Sequence, residues 1–226
     1  MKKNIIITGT SRGIGLETAL QFANNGDQVL AISRTHSPLL LAHPNISCLA
    51  VDLTKEAELE QVSFFLNQNW KQVDAVLHNA GHLIFKPFAE TSLSDFENVY
   101  QVNVFAVVRL TQICLPFLAH CSHVVSISSM GGIQGSAKFA GLSAYSSSKG
   151  ALITLTEICA EEFKDSGISF NVLALGAVQT EMLATAFPGY TAPISAHKMA
   201  QYIVDFVRNG HQFFNGKVLQ VAMSTP

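Results

Sequence analysis

Seven short apolar runs, separated by longer stretches with helical spacing, constrain this chain more than any other feature. The runs are NIIIT at 4–8, QVLAIS at 28–33, ISCLAV at 46–51, VDAVLH at 73–78, HVVSIS at 123–128, ISFNVLAL at 168–175 and KVLQVAM at 217–223. Consecutive apolar residues without polar alternation suit strands covered on both faces. Between them, Leu93, Phe96, Tyr100, Val104, Val107, Leu110, Cys114 and Phe117 recur at threes and fours, predicting one long helix over 92–120. Leu152, Leu155, Ile158, Cys159 and Phe163 mark a second helix, and residues 195–207 a third, capped by Ser195. Alternating βα units imply a parallel, doubly wound sheet with right-handed crossovers. The expected fold is a three-layer α/β/α sandwich, read as one domain over residues 1–226.

Composition narrows the function classes. Charged residues are only 13% of the chain, which implies a large buried fraction or surface hidden in an oligomer. A net charge of −2 gives no reason to expect nucleic acid or an anionic membrane as partner. The four cysteines, Cys48, Cys114, Cys121 and Cys159, form no C-x-x-C pair, so neither a metal site nor a disulfide framework is expected. The N-terminal MKKNIIITGT has only three consecutive apolar residues, too few for a signal peptide, and no run approaches 18 apolar residues. The expectation is a soluble cytoplasmic protein.

ITGTSRGIG, at 7–15, follows the first strand and opens the first helix. Glycines at 9, 13 and 15 let the backbone turn tightly and let a pyrophosphate approach a helix N-terminus, whose free N–H groups favour an anion. Ser11, Arg12 and Ile14 fill the same turn. Its bland reading is an ordinary tight turn. Asp52 and Leu53 end the third strand, where Asp52 either accepts a hydrogen bond from an adenine amino group or begins the following helix. Asn79, Ala80 and Gly81 end the fourth strand and either permit close approach to a ligand or form a simple turn.

Tyr145 and Lys149 are four apart on one helical face. A free tyrosine titrates near ~10, and a neighbouring ammonium favours its phenolate, so the pair makes chemical sense as an acid–base group. It also suits a surface pair. Ser128 and Ser129 close the fifth strand, where a hydroxyl either holds a substrate carbonyl or caps a turn. Asn103 lies inside the apolar rhythm of the long helix, as a packing hydrogen bond or a link in a proton relay.

Taken in order, T-G-x-x-x-G-x-G at 8–15, N-A-G at 79–81, Asn103, Ser129 and Tyr145-x-x-x-Lys149 resemble the short-chain dehydrogenase/reductase family. The resemblance runs from Ile5 to about Met223. It implies a Rossmann-like seven-stranded parallel sheet, with Tyr145 as general acid in the reductive direction. It implies that Lys149 lowers the Tyr145 pKa and binds the nicotinamide ribose. By the same resemblance Ser129 orients the substrate carbonyl, and Asn103 holds a relay water. Arg12 stands where the extended members would need a glycine. Leu175 replaces the proline usual before Gly176, while Val178 and Thr180 still match the positions that meet the carboxamide. His78 replaces the first asparagine of N-N-A-G. Tyr145 lies sixteen positions after Ser129, slightly more than usual, so QGSAKFAGL at 134–142 is read as a small insertion beside the substrate. Residues 181–195 are expected to form a substrate lid.

At the end of the second strand, Ser33 stands where an acid would repel a 2′-phosphate. Arg34 and Arg12 suit a phosphate by charge and fork geometry. The expected cofactor is therefore NADP(H) in preference to NAD(H), used to interconvert a ketone or aldehyde and an alcohol. The alternatives are a 3-oxoacyl-(acyl carrier protein) reductase-like activity and a non-catalytic NADP(H)-binding regulator on the same fold. Phe139, Met182, Leu183, Phe187 and Tyr190 imply a partly apolar pocket for a small carbonyl or alcohol. A homodimer or homotetramer is expected, paired through helices at 92–120 and 144–164.

Overall fold

The computed structural model describes residues 2–223. Its strands are β1 (Asn4–Thr8), β2 (Gln28–Ser33), β3 (Ile46–Ala50), β4 (Val73–His78), β5 (Leu118–Ser129), β6 (Ser169–Leu175) and β7 (Val218–Val221). They form one parallel sheet in the order β3-β2-β1-β4-β5-β6-β7. The order reverses beside β1, so a crevice opens at the carboxyl ends of β1 and β4, where sheets of this type bind ligands.

Helices α1 (Gly13–Asn24), α2 (Pro38–Leu41), α3 (Glu56–Asn69), α4 (Leu93–Tyr100), α5 (Ala106–Cys114), α6 (Ser143–Glu162), α7 (Glu181–Ala186) and α8 (Ala196–Asn209) complete the chain. Strand alternation divides the core between two faces. Ile5 and Ile7 pack with Phe22 of α1 and with Met199 and Ile203 of α8. Ile6 points the other way, towards Leu59 and Leu66 of α3, Leu110 of α5 and Ala160 of α6. Both sets are almost wholly buried, which is why the strands read as unbroken apolar runs.

The helix expected over 92–120 is corrected in two places. Ser92 and Asp95 form a reciprocal capping box that starts α4, but Gln101–Phe105 make one wide π turn before α5. The apolar stripe passes through that turn unbroken, so periodicity could not show it. Pro116 sits in the tight turn Leu115–Phe117 that ends the helix, and β5 begins at Leu118, five residues before the expected start. Pairing with β4 jumps from Val73↔Leu118 to Ala75↔His123, and the extra residues bulge through Cys121 at φ 72°. The run Leu93–Phe117 is long and apolar enough to cross a membrane by length and composition. Here its buried residues, Val99, Val104, Leu110 and Cys114 among them, pack inward as a core helix.

Candidate active site

A cleft of about 850 Å³ follows the carboxyl ends of the strands, and every residue expected at the site except Asn103 and Tyr190 lines it. Its floor at one end is the glycine turn. Gly9 holds φ 71°, and a Cβ there would lie 2.7 Å from the Cα of Ala80. A Cβ at Gly15 would overlap the Gly9 carbonyl oxygen and the Asn79 amide nitrogen. These positions therefore bring the ends of β1 and β4 together and keep the N-terminus of α1 open. The Asn79 side chain is spent on that junction, donating to the carbonyls of Thr8 (3.0 Å) and Gly9 (3.2 Å). Thr8 Oγ1 accepts the N–H groups of Asn79 and Ala80 at 3.1 and 3.0 Å.

At the far rim, Ser33 is buried and donates its hydroxyl to the Thr35 carbonyl at 2.6 Å, which folds the following loop back. Arg34 and Arg12 both border the cleft. Arg12 pairs with Glu181 (Nη1 to Oε2, 2.7 Å), the first residue of α7, and both side chains are 68% exposed. Glu181 was not expected at the site; no local pattern relates it to Arg12. Asp52 behaves as a turn acid, with Oδ1 accepting the Thr54 N–H (3.0 Å) and hydroxyl (2.8 Å) ahead of α3.

The other end of the cleft is more tightly built. Lys149, buried in α6, donates from Nζ to the Ile127 carbonyl at 2.8 Å, under the end of β5. Its ammonium lies 5.8 Å from the centre of the Tyr145 ring. The Ser129 hydroxyl is the neighbour that favours the ionised form of the Tyr145 phenol. Ser128 is instead buried and donates to the Lys149 carbonyl at 2.9 Å, fastening α6 to the sheet. Ser129 is therefore the serine that faces the phenol. Gly132 lies against α6, where a Cβ would stand 2.7 Å from the Lys149 carbonyl carbon.

Asn103 sits in the π turn, fully buried behind the cleft. Its Oδ1 accepts the His82 N–H at 2.8 Å, and its Nδ2 donates to the His82 carbonyl (3.0 Å) and to Ser148 Oγ (2.9 Å). The amide thus clamps the turn after β4 to α6. His82 itself borders the cleft, a neighbour that N-A-G alone did not reveal.

Burial shifts both catalytic candidates against their charged forms. It pushes the Tyr145 phenol up to about 12, opposed by the neighbouring Ser129 hydroxyl, and pushes Lys149 down to about 8. Tyr145 lies at the floor of the cleft among protein atoms, and desolvation outweighs its neighbours. Near neutral pH the phenol holds its proton.

Leu175 closes β6, in register with Ser129 and with Val221, and the Gly176 N–H donates to the Val221 carbonyl at 3.0 Å. The edge strand thus fixes a turn that a proline usually stiffens. Val178 is buried, and Thr180 caps α7 through its hydroxyl, which accepts the Leu183 N–H at 3.2 Å. The segment expected as a lid is tied back at Gln179, whose N–H donates to Ile194 O at 2.8 Å and whose Oε1 accepts the Ala192 N–H at 2.8 Å.

A doubly wound sheet with a glycine turn at the switch point and a tyrosine–lysine pair at the cleft floor defines a Rossmann-type oxidoreductase. The short chain dehydrogenase profile matches residues 3–191, and the chain belongs to the short-chain dehydrogenase/reductase family. The oxidoreductase YciK of Escherichia coli (strain K12) is 32% identical over 197 residues, covering 81% of this chain and 77% of its own. The structure of ElxO with NADP bound is 29% identical, with a TM-score of 0.84 and 98% of each chain covered. 4-Hydroxyisoleucine dehydrogenase complexed with NADH shares the fold at a TM-score of 0.86 and 21% identity, covering 98% of this chain and 97% of that one. The fold alone therefore does not choose between the two nicotinamide cofactors.

Proposed function

We propose that this chain is an NADP(H)-dependent oxidoreductase that interconverts a ketone or aldehyde and an alcohol, with Tyr145 as its proton donor and acceptor. The observation that carries this reading is that Tyr145, Ser129 and the buried Lys149 line the same cleft as the glycine turn. The cradle fits a dinucleotide, because the glycine turn, the α1 N-terminus, Asp52, Ala80, Val178 and Thr180 border one continuous cleft. When bound, the nicotinamide supplies or accepts hydride.

The chain's own residues do the rest. Gly9, Ser11, Gly13, Ile14 and Gly15 present the α1 N-terminus to the pyrophosphate. Asp52, Leu53, Ala80 and Gly81 border the adenosine half, and Gly176, Val178 and Thr180 border the nicotinamide half. Ser129 positions the carbonyl oxygen and donates to it as charge develops there. Tyr145 gives that oxygen a proton in reduction and takes it back in oxidation. Lys149 orients the ribose and stabilises the phenolate that Tyr145 becomes. Asn103 acts through His82 and Ser148 as a positioning residue. Its side-chain amide is already committed, so a relay water would meet main-chain atoms or the Lys149 ammonium.

Ser33, Arg34 and Arg12 support the NADP(H) preference, since no acid at the β2 end repels a 2′-phosphate. Exposed Leu93, Phe105 and Ile158 on the α4–α5 and α6 faces support pairing with a second copy. The test is a panel of ketones and aldehydes followed by NADPH absorbance, run on the wild type and Tyr145→Phe. Turnover should fall by roughly 10²–10⁴-fold in the variant, with NADPH affinity retained. Substantial remaining turnover contradicts the role of Tyr145.

A further inference from the structure

Two phenylalanines, Phe139 and Phe187, line the cleft, and a third, Phe85, packs against Phe187 outside the lining. Phe85 comes from the loop after β4, Phe139 from the insertion after β5, and Phe187 from the end of the lid helix α7. The Phe187 ring stands edge-on to both others, 6.0 Å and 66° from Phe85 and 5.7 Å and 77° from Phe139. The two framework segments are tied to each other, because the Lys86 N–H donates to the Gly141 carbonyl at 2.9 Å. Gly141 holds φ 85°, and a Cβ there would press on the Phe85 ring at 3.1 Å. Phe85 and Phe139 are thus set by the framework, and Phe187 is brought to them by the lid. Leu142, Met182 and Leu183 continue the same wall.

Charge is distributed unevenly along the cleft. Arg12 and Arg34 border its cofactor end, and Lys149 is buried under Tyr145. The two lysines nearest the phenylalanines in sequence are occupied elsewhere. Lys86 pairs with Asp95 at 3.1 Å, and Lys138 donates to the Ile133 carbonyl and to Ser136 Oγ. Neither lines the cleft. A substrate carboxylate at this end would lose its hydration and gain no counter-ion, which is costly. A flat apolar group would instead meet ring edges and faces at favourable angles.

We propose that Phe139 and Phe187, the latter backed by Phe85, form an aromatic clamp that selects neutral carbonyl substrates bearing a flat apolar substituent, and that the site rejects oxo acids. This rests on the carbonyl-reductase reading above and deepens it. The phenyl group lies against the cleft-facing sides of the Phe139 and Phe187 rings.

The test separates binding from turnover. 1-Phenyl-2-propanone and phenylpyruvate carry the same ring on the same chain and differ in that a carboxylate replaces the methyl; 2-butanone lacks the ring. Each is titrated calorimetrically into the NADP⁺ complex, and each is assayed with NADPH. The aryl ketone should bind roughly 100-fold more tightly than phenylpyruvate or 2-butanone. Phe187→Ala should reduce the aryl-to-small-ketone ratio of kcat/KM about tenfold or more. Phe139→Ala, checked for an unchanged melting temperature, should do the same from the framework side. Equal binding of phenylpyruvate and the aryl ketone overturns the clamp, as does an unchanged ratio in both variants. Aryl binding without any turnover upholds the clamp and contradicts the reductase reading. Turnover without aryl preference does the reverse.

Discussion

The two ends of the cleft are built on opposite principles. At the tyrosine end, Lys149, Ser128 and Asn103 are buried and each is fixed by hydrogen bonds to the sheet, the turn after β4 or α6. At the arginine end, Arg12 is held by one exposed ion pair with Glu181. Buried groups in such networks interact strongly and move little, whereas an exposed pair contributes about 0–1 kcal/mol and exchanges readily. The contrast suits a division of labour. Proton transfer needs geometry held in advance, while phosphate recognition needs charges free to rearrange around an incoming anion.

Substitutions that break one end and spare the other test this contrast. The largest effect is the loss of turnover in Tyr145→Phe described above, with the arginine end unaffected. Next is Lys149→Met, which should also abolish turnover but stabilise the fold. Burial holds Lys149 down at about 8, so the charged form is disfavoured in the folded chain. The penalty is fully present below pH 8, shrinks as pH rises, and vanishes above the unfolded value near ~10.5. Removing the charge should therefore add about 1–3 kcal/mol at pH 7, after the lost hydrogen bond to Ile127, and progressively less towards pH 10. Thermal melts of both proteins across that range check the sign; a variant less stable at every pH contradicts it.

Arg34→Asp addresses the other end. NADPH use should fall by roughly 10–100-fold, as expected for losing a charge-assisted phosphate contact, while NADH use is spared. Equal loss with both cofactors would make Arg34 structural. The smallest effect belongs to Glu181→Gln. It frees Arg12 from the lid, so the KM for NADPH should drop by less than about fivefold, the scale of an exposed pair. A rise in that KM would show that the pair positions Arg12 instead of restraining it.

The sequence made these two ends unequally legible. The glycine turn, N-A-G and Tyr145-x-x-x-Lys149 are short patterns whose geometry is local, and six of the seven strands begin within one residue of the apolar runs that announced them. The break in the helix at Gln101–Phe105 was hidden because Val104 and Val107 keep the apolar stripe intact through the wider turn. Choosing between Ser128 and Ser129 required their partners, which lie on α6. The Arg12–Glu181 pair spans 169 positions, and the three phenylalanines come from three loops. Such contacts depend on where the crossovers deliver each loop, which periodicity does not encode. The direction of the Tyr145 shift was also out of reach, since it follows from desolvation in the folded cleft and not from the spacing to Lys149.

The most direct test of this division of labour is the ratio of kcat/KM for NADPH and NADH with one reduced carbonyl substrate. The account predicts that the wild type favours NADPH by roughly tenfold or more, the value of one charge-assisted phosphate contact. Equal values, or a preference for NADH, would contradict it.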